Sequence, residues 1–388
     1  MATSKKTIAK SAKAHRGAKP AAPLTLRELN RALLGRQLLL ARGKLAAPAA
    51  LERIAGLQAQ MPGPPYVGLW SRLADFDRRP LADALVARTV VRAPLFRGTL
   101  HEVSTADYAR FRAVVAPVLH RAFAGMNADR LKGIDAVALS EEARPFLQGS
   151  PRTQDDVRNF LGSRHPELDL RMLGHAVRLH LPMVQVPEPF AGSWNYPAMP
   201  RFALADAWIG RPLATATAPD ELIRRYLAAF GPATARDFQT WCGLSGMAAD
   251  FERLRPELRV VTDEEGHELF DLPGALRPDA TTPAPPRFLP EFDNVLLAHH
   301  DRSRIIAEEH RAKVFLPGLR VEPTFLIDGF VAGTWDNVRL KKAVTMIIKP
   351  FDPIPPKARD ALLAEAERLT RFLEPDVETW TVSLAGHS

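Results

Sequence analysis

Two glutamines stand two positions apart in Gly56-Leu57-Gln58-Ala59-Gln60, where an apolar helical run breaks into Met61-Pro62-Gly63-Pro64-Pro65. At i and i+2 on an unwinding helix end, Gln58 and Gln60 can both face one cleft. An amide carries two donors and two acceptor lone pairs, so it can orient a water or a base edge, but it cannot take a proton. On composition alone the plainer reading is a solvated or capping pair. Arg97-Gly98-Thr99-Leu100-His101 reads as a strand that places Arg97, Thr99 and His101 on one face. That row suits phosphate contact or an ordinary polar outer face. Arg302 and Arg304 in Asp301-Arg302-Ser303-Arg304 either hold phosphates or pair with Glu291 and Asp293 upstream. The adjacent His299 and His300 do not converge on one ion, so no metal is expected, and His175 and His180 read as polar or DNA-facing positions. The sequence holds no phosphate-binding glycine loop, nucleophile elbow or zinc-deaminase pattern. No cofactor is expected.

The elements that must position these residues repeat. At 219–273, Leu222, Ile223, Tyr226, Leu227 and Phe230 recur at helical spacing until Gly231-Pro232 stops the run. Thr234 with Asp237 forms a capping box for a second helix, and Ser245 is placed to cap a third. Two alternating stretches, 258–262 and 267–272, then read as a hairpin. Helix, helix, turn, helix, hairpin is the order of a winged helix-turn-helix. A similar order is expected at 151–206, where Thr153 with Asp156 caps a helix and Met183–Val186 pairs with Phe202–Leu204. It recurs at 24–104, with helices near 25–42, 48–58, 65–75 and 80–88 and strands at 89–93 and 96–103. Winged helices serve protein contacts as well as DNA; three in one chain favour DNA.

From about 287 the pattern changes to short strands. Asp328-Gly329 gives a two-residue hairpin signal, and an amphipathic helix at 355–373 closes the region. The expected class is α+β: tandem winged helix-turn-helix units with a small C-terminal β-barrel-like domain. The boundaries drawn are a basic tail at 1–23, units at 24–110 (with the Gln-Ala-Gln motif), 111–215 and 216–282, and the C-terminal domain at 283–388. Pro283-Ala284-Pro285-Pro286 is the best linker candidate in a chain with 34 prolines.

Charge and composition narrow the function. The chain has 388 residues, a formal charge of +8 and one cysteine. Six of those charges lie on Lys5, Lys6, Lys10, Lys13, Arg16 and Lys19 in an acid-free tail, leaving +2 for the other 365 residues. Such a tail is expected to be disordered, and serves either as a salt-sensitive DNA-contacting arm or as a solubilising extension. The lone Cys242 excludes an intramolecular disulfide framework and any zinc site needing two cysteines. No stretch is long enough to span a membrane and no secretory leader is recognisable. A cytoplasmic, nucleoid-associated monomer is the expectation.

Taken together, Gly56–Gln60, Leu69-Trp70-Ser71-Arg72-Leu73, Phe96–His101, Tyr226–Thr234, Leu289-Pro290-Glu291-Phe292-Asp293 and Asp301–Arg304 resemble the AlkZ/YcaQ-like bacterial DNA glycosylases. The resemblance covers about residues 24–375. It implies tandem winged helices around a C-terminal barrel, with a cleft for alkylated or crosslinked duplex DNA. It also implies a catalytic signature of Gln, an apolar residue, then Gln or Asp, which falls here on Gln58, Ala59 and Gln60. The Gln ending is similar to the AlkZ side of the family, linked to self-resistance against DNA-alkylating natural products.

The residues are consistent with that chemistry. A purine alkylated on a ring nitrogen is already cationic and leaves without a proton, so what remains is to stabilise an oxocarbenium-like sugar and place a water. Sparse lysine near the site disfavours a Schiff-base lyase. The expected function is a monofunctional glycosylase releasing cationic N-alkylated purines from double-stranded DNA, with Arg97, Thr99, His101, Arg302 and Arg304 as DNA contacts. The alternative is a non-catalytic winged-helix DNA-binding or regulatory protein.

Overall fold

The computed structural model describes residues 22–189 and 194–385, so the tail cations lie outside the described residues. The fold is α+β. An antiparallel six-stranded sheet combines β1 (Leu57–Gln58), β2 (Val90–Pro94), β3 (Leu100–Ser104), β4 (Arg152–Thr153), β5 (Met183–Gln185) and β6 (Arg201–Leu204) in the order β1-β3-β2-β5-β6-β4. The strands of the first and second units are therefore one sheet, joined where Arg92 of β2 faces Gln185 of β5. The expected Met183–Leu204 pairing is present. Helices at Thr105–Phe111, Ala116–Ala124 and Ala136–Gln148 fill a stretch for which the sequence suggests no elements.

Residues 216–282 follow the expected order. Helix Asp220–Phe230 buries Leu222, Ile223, Tyr226, Leu227 and Phe230 completely. The Thr234–Asp237 capping box opens helix Ala235–Cys242, and helix Ala248–Leu254 precedes the hairpin of β7 (Arg259–Thr262) and β8 (Glu268–Asp271). Ser245 does not cap the third helix; the side chain of Gln239 instead accepts from the Met247 N–H at 2.8 Å. The proline-rich stretch after the hairpin is strapped to the first helix, Leu26–Arg36, through Arg27 to the Ala280 carbonyl (2.8 Å) and Arg31 to the Thr282 carbonyl (2.7 Å).

The C-terminal strands are β9 (Arg287–Leu289), β10 (Phe315–Leu316), β11 (Arg320–Val321), β12 (Thr324–Ile327), β13 (Phe330–Leu340), β14 (Ala343–Pro350) and β15 (Thr379–Leu384). Asp328 and Gly329 make the expected tight turn, both at positive φ (48° and 86°). The barrel expectation is corrected. Among the described residues the five-stranded sheet, ordered β15-β14-β13-β12-β9, stays open. A parallel neighbour needs a crossover, and helix Pro356–Leu373 carries the chain from β14 to the parallel β15. Leu362, Ala366 and Leu369 of that helix pack fully buried with Phe288, Phe325, Met346 and Ile348 of the sheet. The apolar face of the sheet finds its partner in a helix rather than in its own far edge.

Candidate active site

Helix Ala47–Arg53 ends earlier than its apolar run suggests, because Ala55 and Gly56 turn left-handed (φ 61° and 81°) and lead into β1. A Cβ on Gly56 would sit 2.5 Å from Val103 Cγ1, so only glycine fits there. Distant side chains hold this turn. Asn294 donates to the Ile54 carbonyl at 3.4 Å and more closely to that of Gly56, and Gln37 also donates to Ile54, at 3.3 Å. Asp293 is ion-paired to Arg72 at 2.7 Å with both side chains fully buried, and Ser71 donates to the Phe288 carbonyl. Segments far apart in sequence thus converge beneath one two-residue strand.

Gln58 is consequently a strand residue rather than a helix-end residue, paired in register with His101. Its side chain is mostly buried and borders a cleft of about 580 Å³. Arg97 Nη2 donates to Gln58 Oε1 at 2.8 Å, and Arg97 Nη1 donates to the Trp241 carbonyl at the end of helix Ala235–Cys242. That helix terminus offers carbonyls and the negative end of the helix dipole to the guanidinium. With Oε1 fixed, both Nε2 hydrogens and one Oε1 lone pair of Gln58 remain for a ligand. Gln60 is exposed and does not border the cleft. Among the described residues its amide is held only by a 3.5 Å contact between Oε1 and the Leu100 N–H, one residue beyond the cleft-lining Thr99.

The Arg97–Thr99–His101 row is corrected. Arg97 and Gly98 occupy a turn at positive φ (54° and 76°), and the strand starts only at Leu100, so the three residues do not alternate on one face. Arg97 and Thr99 reach the cleft. His101 does not: it is 1% exposed, its Nδ1 lies 3.0 Å from the Thr99 carbonyl and its ring meets Phe96 edge-on. Burial, reinforced by the Arg97 charge, pushes its pKa down to about 3. Buried in this way, it does not present its ring to the cleft, which corrects its place among the expected DNA contacts.

The second arginine pair divides. Arg302 borders the cleft and stacks on Phe315 at 4.2 Å. Arg304 is buried and donates to the Pro232 carbonyl at 2.8 Å, making it a structural residue rather than a DNA contact. Neither pairs with Asp293, which belongs to Arg72. His299 is buried against the Phe230 carbonyl, and burial pushes its pKa down. His175 lies against Arg178, while His180 stacks on His120 at 4.3 Å.

The remaining cleft walls are Phe292, Leu297 and the β10–β11 hairpin, whose tip residue Leu319 is 91% exposed beside Arg320. Sequence reasoning missed this hairpin's place at the site; the only signal was Pro317-Gly318, a turn dipeptide. Among the described residues, no Asp, Glu, His or Lys borders the cleft. Its charge comes from Arg97, Arg302 and Arg320.

An acid-free, arginine-lined cleft with an oriented amide at its wall fits an enzyme that works on nucleic acid, and comparison with known proteins specifies the class. The family described as DNA glycosylase AlkZ-like matches residues 51–372. An interstrand DNA cross-link repair glycosylase from Streptomyces sahachiroi is 27% identical over 359 residues, covering 86% of this chain and 93% of that protein. The solved structure of Streptomyces sahachiroi DNA glycosylase AlkZ superposes with a TM-score of 0.74 at 22% identity, over 94% of this chain and 100% of that one. The chain belongs to the AlkZ-like DNA glycosylase family.

Proposed function

We propose that the chain is a monofunctional glycosylase that hydrolyses the N-glycosidic bond of cationic N-alkylated purines in duplex DNA, with Gln58 and Gln60 as the catalytic pair. The observation that carries this reading is the acid-free cleft around an amide whose carbonyl is pinned by Arg97. Ordinary glycosidic cleavage uses one carboxyl to protonate the leaving group and another to assist the nucleophile. With no such group at the cleft and His101 neutral inside the protein, the leaving base must bring its own positive charge. The C1′–N bond breaks with its electron pair going to the base, which departs neutral. Water adds to C1′ of the oxocarbenium-like sugar, loses a proton to solvent and leaves an abasic site. In this reading Gln58, at the cleft wall, orients that water and turns its dipole toward the developing charge. Gln60, which does not line the cleft, is assigned to the pair by its place in the Gln-Ala-Gln motif. The absence of lysine from the described cleft wall argues against a Schiff-base lyase step.

Thr99, Arg302 and Arg320 are the phosphate-facing groups of this reading, with Arg97 adding positive charge at the cleft while its Nη donors hold Gln58 and the Trp241 carbonyl. The helix-and-hairpin units at 24–110, 111–215 and 216–282 act as winged helices, and 283–388 as the domain that closes the cleft. A relative named for interstrand cross-link repair supports extending the substrates to crosslinks; bulky adducts, a part in DNA repair or self-resistance, and a monomeric state belong to the same proposal.

The test is incubation with duplex DNA bearing 7-methylguanine, with chromatography of free base, for the wild type, Gln60→Ala and Gln58→Ala/Gln60→Ala. The expected loss is an order of magnitude or more in excision with DNA affinity kept, as for groups that position a reactant. Undiminished excision by the double variant, or efficient uracil release by the wild type, overturns the assignment.

A further inference from the structure

Gln58 is aimed through its own side chain, but Gln60 is not. The single long contact of its amide leaves its direction to the main chain of residues 59–60. That main chain is held in two ways. Ala59 N–H donates to the Leu100 carbonyl at 2.7 Å. From below, the side chain of Arg92 on β2 donates through Nε to the Ala59 carbonyl at 2.8 Å and through Nη2 to the Gln60 carbonyl at 2.9 Å. β3 lies between β2 and β1 in the sheet, so Arg92 reaches past its neighbouring strand to do this. Its third donor, Nη1, goes to Gln185 Oε1 on β5 at 2.5 Å, and the guanidinium lies 4.7 Å from the Tyr196 ring.

Glu102 sharpens the point. It stands opposite Arg92 in the β2–β3 register, completely buried, yet among the described residues neither of its carboxyl oxygens receives a hydrogen bond. A guanidinium beside a buried carboxyl ordinarily pairs with it. Here the donors go to the carbonyls on either side of the Ala59–Gln60 peptide and to the second unit's strand instead. We infer that Arg92 is a positioning residue: its planar fork fixes the backbone of Ala59 and Gln60 and so aims the Gln60 amide. It also couples that aim to the junction between the first two units. The inference rests on the proposed role of Gln60.

Lysine keeps the charge but not the fork. Arg92→Lys should lower the single-turnover excision rate by about 10- to 100-fold, the scale of an ångström-sized misplacement of a catalytic group, with DNA affinity unchanged. A structural role predicts that this loss multiplies with any other. A role exerted through Gln60 predicts that Arg92→Lys adds nothing in a Gln60→Ala background. If Arg92→Lys melts well below the wild type, the same cycle is run with Gln185→Met, which frees the guanidinium from β5 but leaves both carbonyl bonds. A smaller loss is expected there, again absent without Gln60. Full activity in a folded Arg92→Lys protein, or multiplicative losses in either cycle, overturns the inference. Equal excision by the wild type and Gln60→Ala refutes the underlying Gln60 assignment instead, and the inference with it.

Discussion

Asp293 lies outside the cleft, yet replacing it with asparagine should be among the most damaging single changes near the site. Its carboxylate accepts from Arg72 Nη1 at 2.8 Å and Nη2 at 2.7 Å, and both side chains are fully buried. Asparagine keeps the shape and still caps the Val295 N–H, as Asp293 does at 3.1 Å. Its Oδ1 can still accept from Arg72 Nη2, but the Oδ2 that accepts from Nη1 becomes an NH2 donor facing the guanidinium, and the countercharge is gone. The Gly68 carbonyl at 3.0 Å and Gln37 Oε1 at 3.4 Å are neutral acceptors. Breaking a buried pair from one side costs about 3–5 kcal/mol. At about 2.1 cal/mol/K per residue, a chain of 388 residues gains roughly 0.8 kcal/mol/K on unfolding, so Tm should fall by about 4–6 °C. Because Asn294 next door holds the Gly56 carbonyl, base release should slow more than DNA binding weakens. Calorimetry paired with single-turnover excision well below both transitions reads the two effects. Arg72→Met/Asp293→Leu strands no charge and should recover most of the stability. An Asp293→Asn protein that melts with the wild type would refute the electrostatic reasoning, and a double variant as unstable as the single would assign the loss to shape instead.

Further outcomes follow from the other buried and cleft-lining groups. Arg302→Ala should shallow the salt dependence of DNA binding by about one unit of slope, whereas Arg304→Ala, which breaks the internal bond to Pro232, should lower Tm and leave the slope alone; identical slopes for both variants would erase the distinction. His101 is held neutral by burial, with a pKa of about 3, so His101→Phe should leave the pH profile of excision between about pH 5 and 8 unchanged; a limb that vanishes with the imidazole would overturn this. Burial raises the Glu102 carboxyl from 4.5 to about 8 against the opposing pull of Arg92. The folded protein therefore holds the extra proton between those values, and this group's contribution to stability falls as pH rises through them. Glu102→Gln should raise Tm more at about pH 8 than at about pH 5, and equal shifts would contradict the burial argument.

What the sequence made legible is local. The capping boxes at Thr153–Asp156 and Thr234–Asp237, the Asp328-Gly329 turn and the helix near 355–373 depend on neighbours three or four residues away, and each stands where its pattern places it. The errors lie where distant contacts override a pattern. Residues 48–58 read as one helix, but Asn294 and Gln37 capture the Ile54 and Gly56 carbonyls and the last residues become a strand. Alternation at 97–101 reads as a strand until the turn at Arg97-Gly98 breaks it, and His101 is then drawn inward against Phe96. Among the described residues β15 pairs only with β14, in parallel and across an intervening helix, and a six-residue segment carries no mark of such a partner. Gln58 and Gln60 were visible as residue types, but nothing local announced that Arg97 holds one side chain and Arg92 the main chain of the other.

The charge of the cleft constrains the proposed chemistry further. A cationic purine entering beside Arg97, Arg302 and Arg320 meets charge of its own sign, and the described cleft wall carries no carboxylate to offset it. Two unit charges several ångströms apart at a protein surface repel by a few kcal/mol, enough to exclude the substrate if nothing intervened. Duplex DNA supplies the missing charge, because its phosphates neutralise arginines as they bind. Arg97 is also partly turned away from the ligand, its donors committed to Gln58 and to the carbonyl of Trp241. On this reading the DNA backbone supplies the negative charge that enzyme carboxylates supply in ordinary glycosidases, and the protein's part is to hold two neutral amides still.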